Sequence, residues 1–205
     1  MDYHCPYSQR VVLWLDDLGP ERVAVRHRLF GLEQVNRDPG ATDWRLWEQP
    51  LDYIQYRERQ DRRSLAAFLA TAIVEANEPR DVAARFRRAV YEARFQDRAD
   101  ISDLMLLDSL AAAAGAAAGR VADGFSRPAE LATARVRIAD DWAAARSSFA
   151  IFGVPTLGVG GARPFYLRLA GPVEPADGPA VLDALLDFRS EVPGVLELKL
   201  PEPIV

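Results

Sequence analysis

The chain changes its hydrophobic period twice, and that pattern limits what it can fold into. Residues Val23 to Phe30 alternate apolar and polar side chains as a strand does. Thr156 to Val159 and Arg163 to Leu169 read as two more strands, joined at Gly160-Gly161, a dipeptide suited to the positive φ values of a tight hairpin. Between these segments, from Ser64 onward, the period is helical. Leu65, Phe68, Leu69 and Ala72 share one face; Val82, Phe86, Ala89, Val90 and Ala93 share a second; Leu104, Leu107, Leu110, Ala111 and Ala114 share a third. Ser126-Arg127-Pro128-Ala129-Glu130 reads as a helix start, with Leu131, Ala134, Ile138, Trp142 and Ala145 on the stripe that follows. The spacing predicts a middle block of about four helices. A last helix opens at Asp177-Gly178-Pro179-Ala180, with Val181, Leu185 and Phe188 along its buried side.

At 205 residues and 49% hydrophobic, the chain can bury a core as one domain, or as one domain with a large insertion. A single cysteine excludes an internal disulfide and a cysteine zinc site, and His4 and His27 make no metal cluster. The net charge of −5 argues against general binding to a phosphate backbone, although 24 of the 25 basic residues are arginine. Arg85, Arg87, Arg88 and Arg94 read as a solvated helix face partly paired with Asp81 and Glu92, in preference to an anion site. No segment approaches the roughly 20 apolar residues of a membrane span, and Met1-Asp2-Tyr3-His4 does not start a secretion signal. The expected location is therefore the cytoplasm, with neither nucleic acid nor membrane as partner. Residues 36 to 60, with Pro39, Gly40, Pro50, Trp44, Trp47, Tyr53 and Tyr56, form an irregular connection whose aromatics are expected to pack between the helical block and the rest. The alanine run 111 to 118, broken by Gly115, reads as a helix end and turn.

The lone cysteine, Cys5, stands in His4-Cys5-Pro6-Tyr7-Ser8, just before a helical stripe of Val11, Val12, Leu15 and Leu18 that stops at Gly19-Pro20. Pro6 fits the first helical position, where its missing N–H costs nothing. A free cysteine is usually a small buried hydrophobe. At a helix start, however, unpaired amides and the positive end of the macrodipole favour thiolate over thiol. We therefore expect Cys5 to be at least partly exposed and reactive. Protonated His4 would add to that stabilisation. Cys5-Pro6-Tyr7-Ser8 has the layout of a Cys-x-x-Cys redox motif with serine in the resolving position.

Together with Gly153-Val154-Pro155-Thr156, this motif resembles the DsbA-like branch of the thioredoxin superfamily, which includes kappa-class glutathione transferases and 2-hydroxychromene-2-carboxylate isomerases. The resemblance implies an α/β thioredoxin-like fold with a large all-helical insertion. Residues 1–60 and 151–192 would form a discontinuous thioredoxin-like domain, 61–150 the insertion, and 193–205 a tail that we do not place. It further implies that Cys5 is the nucleophile, that Ser8 can donate a hydrogen bond to it, and that His4, Pro6, Tyr7, Val154 and a cis Pro155 meet the substrate. Ser8 cannot close a disulfide, so a mixed disulfide on Cys5 would be released by an external thiol such as glutathione or mycothiol, with no covalently bound cofactor. A glutathione-dependent isomerase or transferase is the alternative enzyme reading, although those enzymes typically carry serine at the first motif position. A redox-inactive binding protein is the non-enzymatic one, and an inert, buried Cys5 would favour it.

In the family resembled, an interior strand leads into the cysteine turn, and a strand needs about five or six residues. Only Met1, Asp2, Tyr3 and His4 precede Cys5, so the N-terminal strand is missing or truncated. We expect the natural protein to begin upstream of Met1 with an apolar β-branched segment, and this chain to be marginally stable or to fill the gap by pairing as a homodimer.

Overall fold

The computed structural model describes residues 1–53, 63–147, 149–160 and 163–192. Eight helices and a small sheet make up the described chain: α1 (Pro6–Leu18), α2 (Leu32–Val35), α3 (Leu65–Asn77), α4 (Arg80–Phe95), α5 (Leu104–Ala113), α6 (Arg120–Ser126), α7 (Pro128–Ser147), β1 (Thr156–Leu157), β2 (Phe165–Tyr166) and α8 (Gly178–Glu191). A 3₁₀ turn spans Leu46–Glu48. This is a thioredoxin fold carrying a helical insertion.

Helix α3 is the centre of packing, because ten consecutive residues, Leu65 to Val74, are buried. A helix apolar on every side must be wrapped by others, and α4, α5, α6 and α7 all pack on it. The segment before α1 joins the same core: the Tyr3 ring lies 4.8 Å from Tyr91 and 6.1 Å from Phe68. Thr71 spends its proton on the Ala67 carbonyl (2.7 Å), so the 2.6 Å bond between it and Tyr3 has the tyrosine as donor. A second cluster joins α1 to α8 through Val11, Trp14, Leu15 and Leu182.

Several expectations need correcting. Val23 to Phe30 shows the expected half-burial but is not a strand. Phe30 N donates to Met1 O (3.0 Å) and the Met1 amine to Arg28 O, while Leu29 N turns to the Asp141 carboxylate (2.9 Å). Without a neighbouring ladder, alternation alone does not make a strand. The hairpin strands are two residues each, paired Thr156 with Tyr166 and Leu157 with Phe165, shorter than the two runs 156–159 and 163–169; Gly161 lies outside the described residues. The helical block has five helices, since α6 follows the alanine turn. On α8 the buried residues are Gly178 and Leu182, and Phe188 is exposed. The arginines of α4 do not share a solvated face. Arg85 and Arg88 point outward to Asp81 and Asp17, whereas Arg87 is buried against Asp16 and Glu75. Trp44 and Trp47 pack against the main core and Tyr53 is part of it, while Tyr56 lies outside the described residues.

Candidate active site

Cys5 is the N-cap of α1, with extended backbone (φ −98°, ψ 113°), and Pro6 occupies the first turn. The chain enters this cap through an aspartate turn: His4 N donates to Asp2 Oδ1 (2.8 Å) and Cys5 N to Asp2 O (3.2 Å). The other Asp2 oxygen accepts from Leu32 N (2.7 Å), fixing the turn to α2. In the usual N-cap a side-chain oxygen accepts from an orphan amide of the first turn. Here sulfur takes that place, and Cys5 Sγ accepts from Ser8 N at 3.4 Å.

The thiol's second contact comes from the other end of the chain. Cys5 Sγ donates to the Val154 carbonyl at 3.3 Å, and the Val154–Pro155 peptide beside it is cis. Val154 and Pro155 are both buried. Phe30, Ala145 and Val154 pack with Cys5, and Tyr7, Leu32, Trp142 and Ile151 close around them. Cys5 is therefore 5% exposed, against the expectation of a partly open thiol. The cover comes from α7 and the proline loop, which local sequence around Cys5 does not reveal.

His4 Nδ1 accepts from Arg94 Nε at 2.8 Å, which places a guanidinium beside the imidazole. Ser8 is fully buried, and it is its amide that reaches the sulfur; its hydroxyl accepts from Asp2 N at 3.4 Å. Pro6 is exposed. Tyr7 is half-buried, with Arg168 donating to its hydroxyl and lying 4.1 Å over its ring, and with Arg10 at 5.5 Å.

The structure adds residues that no motif marked. Tyr166 on β2 and Phe152 before the proline loop are exposed, with ring centroids 5.4 Å apart. Burial of the Tyr166 phenol pushes it above its ordinary value, and the charge of Cys5 adds to the shift while Arg168 opposes it. The cysteine turn, proline loop and hairpin thus face one another. Among the described residues, no group of histidine, cysteine and carboxylate side chains is placed to hold a metal ion, and no helix is long and apolar enough to cross a membrane.

A thioredoxin fold with a helical insertion, capped at α1 by a cysteine that touches a cis-proline loop, defines a class of thiol-bearing proteins. The chain belongs to the DSBA-like thioredoxin domain family, whose model matches residues 1–176. That family is one of thiol–disulfide oxidoreductases and isomerases. A search of curated proteins found none that matches.

Proposed function

We propose that the protein is a thiol–disulfide oxidoreductase working through Cys5 alone, with glutathione or mycothiol as the partner thiol. The observation that carries this reading is the double contact of Cys5 Sγ, with the Ser8 amide on one side and the Val154 carbonyl of the proline loop on the other. An amide aimed at sulfur from the first turn of a helix stabilises developing thiolate.

In the first step the Cys5 thiolate attacks one sulfur of a disulfide RSSR. A Cys5–S–S–R bond forms, the S–S bond of the reagent breaks, and RS⁻ leaves with the bonding pair. In the second, a thiolate R′S⁻ attacks the sulfur of the bound R group, and RSSR′ departs as Cys5 regains its electrons. No second cysteine is needed, and none is present. A free thiol at this position suits a reducing compartment, for which the cytoplasm is the proposal.

The experiment is intact mass after incubation with oxidised glutathione and with mycothiol disulfide. The expected result is a single adduct on Cys5 with at least one of them, reversed by excess thiol and absent in Cys5→Ser. The 5% exposure of Cys5 favours a second reading, a binding module with an inert thiol. No adduct from either reagent would select that reading.

A further inference from the structure

One stripe of α7 stays open and largely apolar. Ala132, Arg135, Val136 and Ala139 recur at helical spacing along it, and Val136 is 58% exposed. Alanine has too little side chain to fill the space beside the 3₁₀ turn. Trp47 and Glu48 of that turn therefore face the stripe across a groove of about 450 Å³. That size lies within the range of small-molecule sites. None of the six lining residues belongs to the cysteine turn or the proline loop.

Arg135 is the cation of this lining. Its Nη1 donates to the carbonyls of Trp47 and Gln49, which uses both protons on that nitrogen and fixes the guanidinium to the 3₁₀ turn. The Nε and Nη2 protons have no partner among the described residues. They form the edge of a guanidinium that grips a carboxylate with two parallel bonds. Carbonyl dipoles orient this charge without cancelling it. Arg137, two residues on, shows the paired state, reaching Glu75 at 3.2 Å and Asp141 at 2.8 Å. Burial lowers the Arg135 guanidinium from its ordinary value, and no carboxylate offsets that loss. Glu48 also lines the groove, but it is exposed, so water screens its charge.

A cation anchored in the wall of an apolar groove suits a ligand with one negative charge and an apolar body. We propose that this groove is a second binding site, independent of the thiol chemistry, for a small apolar carboxylic acid. The carboxylate meets the Nε and Nη2 edge of Arg135, and the apolar part lies against Trp47, Val136 and the two alanines. A second negative charge would meet Glu48, so the ligand is a monocarboxylate.

The test uses three probes alike in shape and different in charge: cyclohexanecarboxylate, cyclohexanecarboxamide and cyclohexylmethylamine. Binding is followed through the tryptophan indole N–H resonances, with Trp47 identified by its loss in Trp47→Phe. The carboxylate should shift Trp47 saturably and bind about tenfold more tightly than the carboxamide, with the amine weakest. Trp14, whose indole donates to the Gly178 carbonyl in a different cluster, should not move, and its resonance also reports that each variant is folded. Ala132 is exposed, and Ala132→Glu places a carboxylate three residues before Arg135 on the same stripe. That variant should bring the affinity for the carboxylate down to that for the carboxamide. Ala132→Gln adds the same bulk without the charge and should keep the carboxylate ahead. Glu48→Gln should tighten binding of the carboxylate and leave the carboxamide unchanged. Equal affinities for carboxylate and carboxamide, no shift at Trp47, or an Ala132→Glu variant that behaves as Ala132→Gln does would overturn the inference. All three outcomes leave the reading of Cys5 as it stands.

Discussion

Cys5 makes two hydrogen bonds with opposite demands. The Ser8 amide is satisfied by sulfur in either form, whereas the Val154 carbonyl accepts only from the protonated thiol. Forming the thiolate therefore removes the bond that ties the proline loop to the cap. Because Ser8 is buried one turn from Cys5, with its amide 3.4 Å from the sulfur, Ser8→Cys should close an internal disulfide. After mild oxidation this variant should titrate no free thiol, and two per chain would show that the side chains diverge. A second residue, Glu33, sets a pH dependence that no motif announces. Its carboxylate accepts from Tyr53 OH and from Ser64 N (2.6 Å), gathering two distant points of the chain. Burial pushes Glu33 up to about 7, and nearby Asp2 adds to the shift, while the bonds from Tyr53 and Ser64 pull against it. With its folded value above the ordinary 4.5, Glu33 contributes stability fully present below that pH and lost as pH rises through 7. Urea midpoints of the protein should therefore fall between pH 5 and pH 8, with a slope approaching about 1.4 kcal/mol per pH unit from this group. Glu33→Gln should flatten that part of the profile, and an unchanged profile would remove Glu33 as its source.

The helices whose caps and stripes are local were legible in the sequence, and the element that was missed shows why. Helix α1 carries its own signals, with Cys5 as cap, Pro6 in the first turn and Gly19 at φ 75° closing the end. Helix α6 carries none of them. It is seven residues long, starts after Gly119 and has Gly124 inside it, so propensity argues against it. Its first amides are capped from another helix: Asp108 on α5 accepts from Val121 N at 2.9 Å and Ala122 N at 3.1 Å. Gly124 is there because α6 lies tight on α3; a Cβ at that position would stand 2.7 Å from Ile73 Cγ2. Ile73 is 1% exposed and has little room to give. Gly124→Ala should then cost roughly 1–3 kcal/mol through overpacking. Ile73→Ala alone should also be destabilising, by about 2–5 kcal/mol, because it opens a cavity. Combined, the added methyl fills part of that cavity, so the double variant should be more stable than the sum of the two costs by about 1 kcal/mol or more. Denaturant midpoints of the four proteins measure this coupling, and strict additivity would mean that α6 can slide on α3. The segment 23–30 is the converse case, with a period that was legible and a ladder that depends on a neighbour.

The thiol-bearing part and the helical block are joined by charge as well as by apolar packing. Arg87 of α4, its side chain 8% exposed, reaches Asp16 of α1 at 2.9 Å and Glu75 of α3 at 2.9 Å. His27 meets the same Asp16, and Arg137 of α7 connects Glu75 to the fully buried Asp141, which in turn takes Arg28 and Leu29 N. Burial alone would raise Asp16, but hydrogen bonds from His27 and Arg87 outweigh it and hold the carboxyl below its ordinary value. The run of arginines on α4 reads as one solvated face because charge is normally outside. The contrary signal was the helical spacing of Arg87, Tyr91 and Arg94, which puts them on one side with a tyrosine that is fully buried. Removing one partner from a buried network strands the others without water, so Arg87→Ala should cost about 3–5 kcal/mol. Arg88→Ala, whose partner Asp17 is 54% exposed, should cost at most about 1 kcal/mol. Because Arg87 ties α1 to α3 and α4, the loss should lower the midpoint of a single transition seen alike by far-UV circular dichroism and tryptophan fluorescence. Two separated transitions in Arg87→Ala, or equal costs for the two arginines, would show that the network does not couple these parts into one cooperative unit.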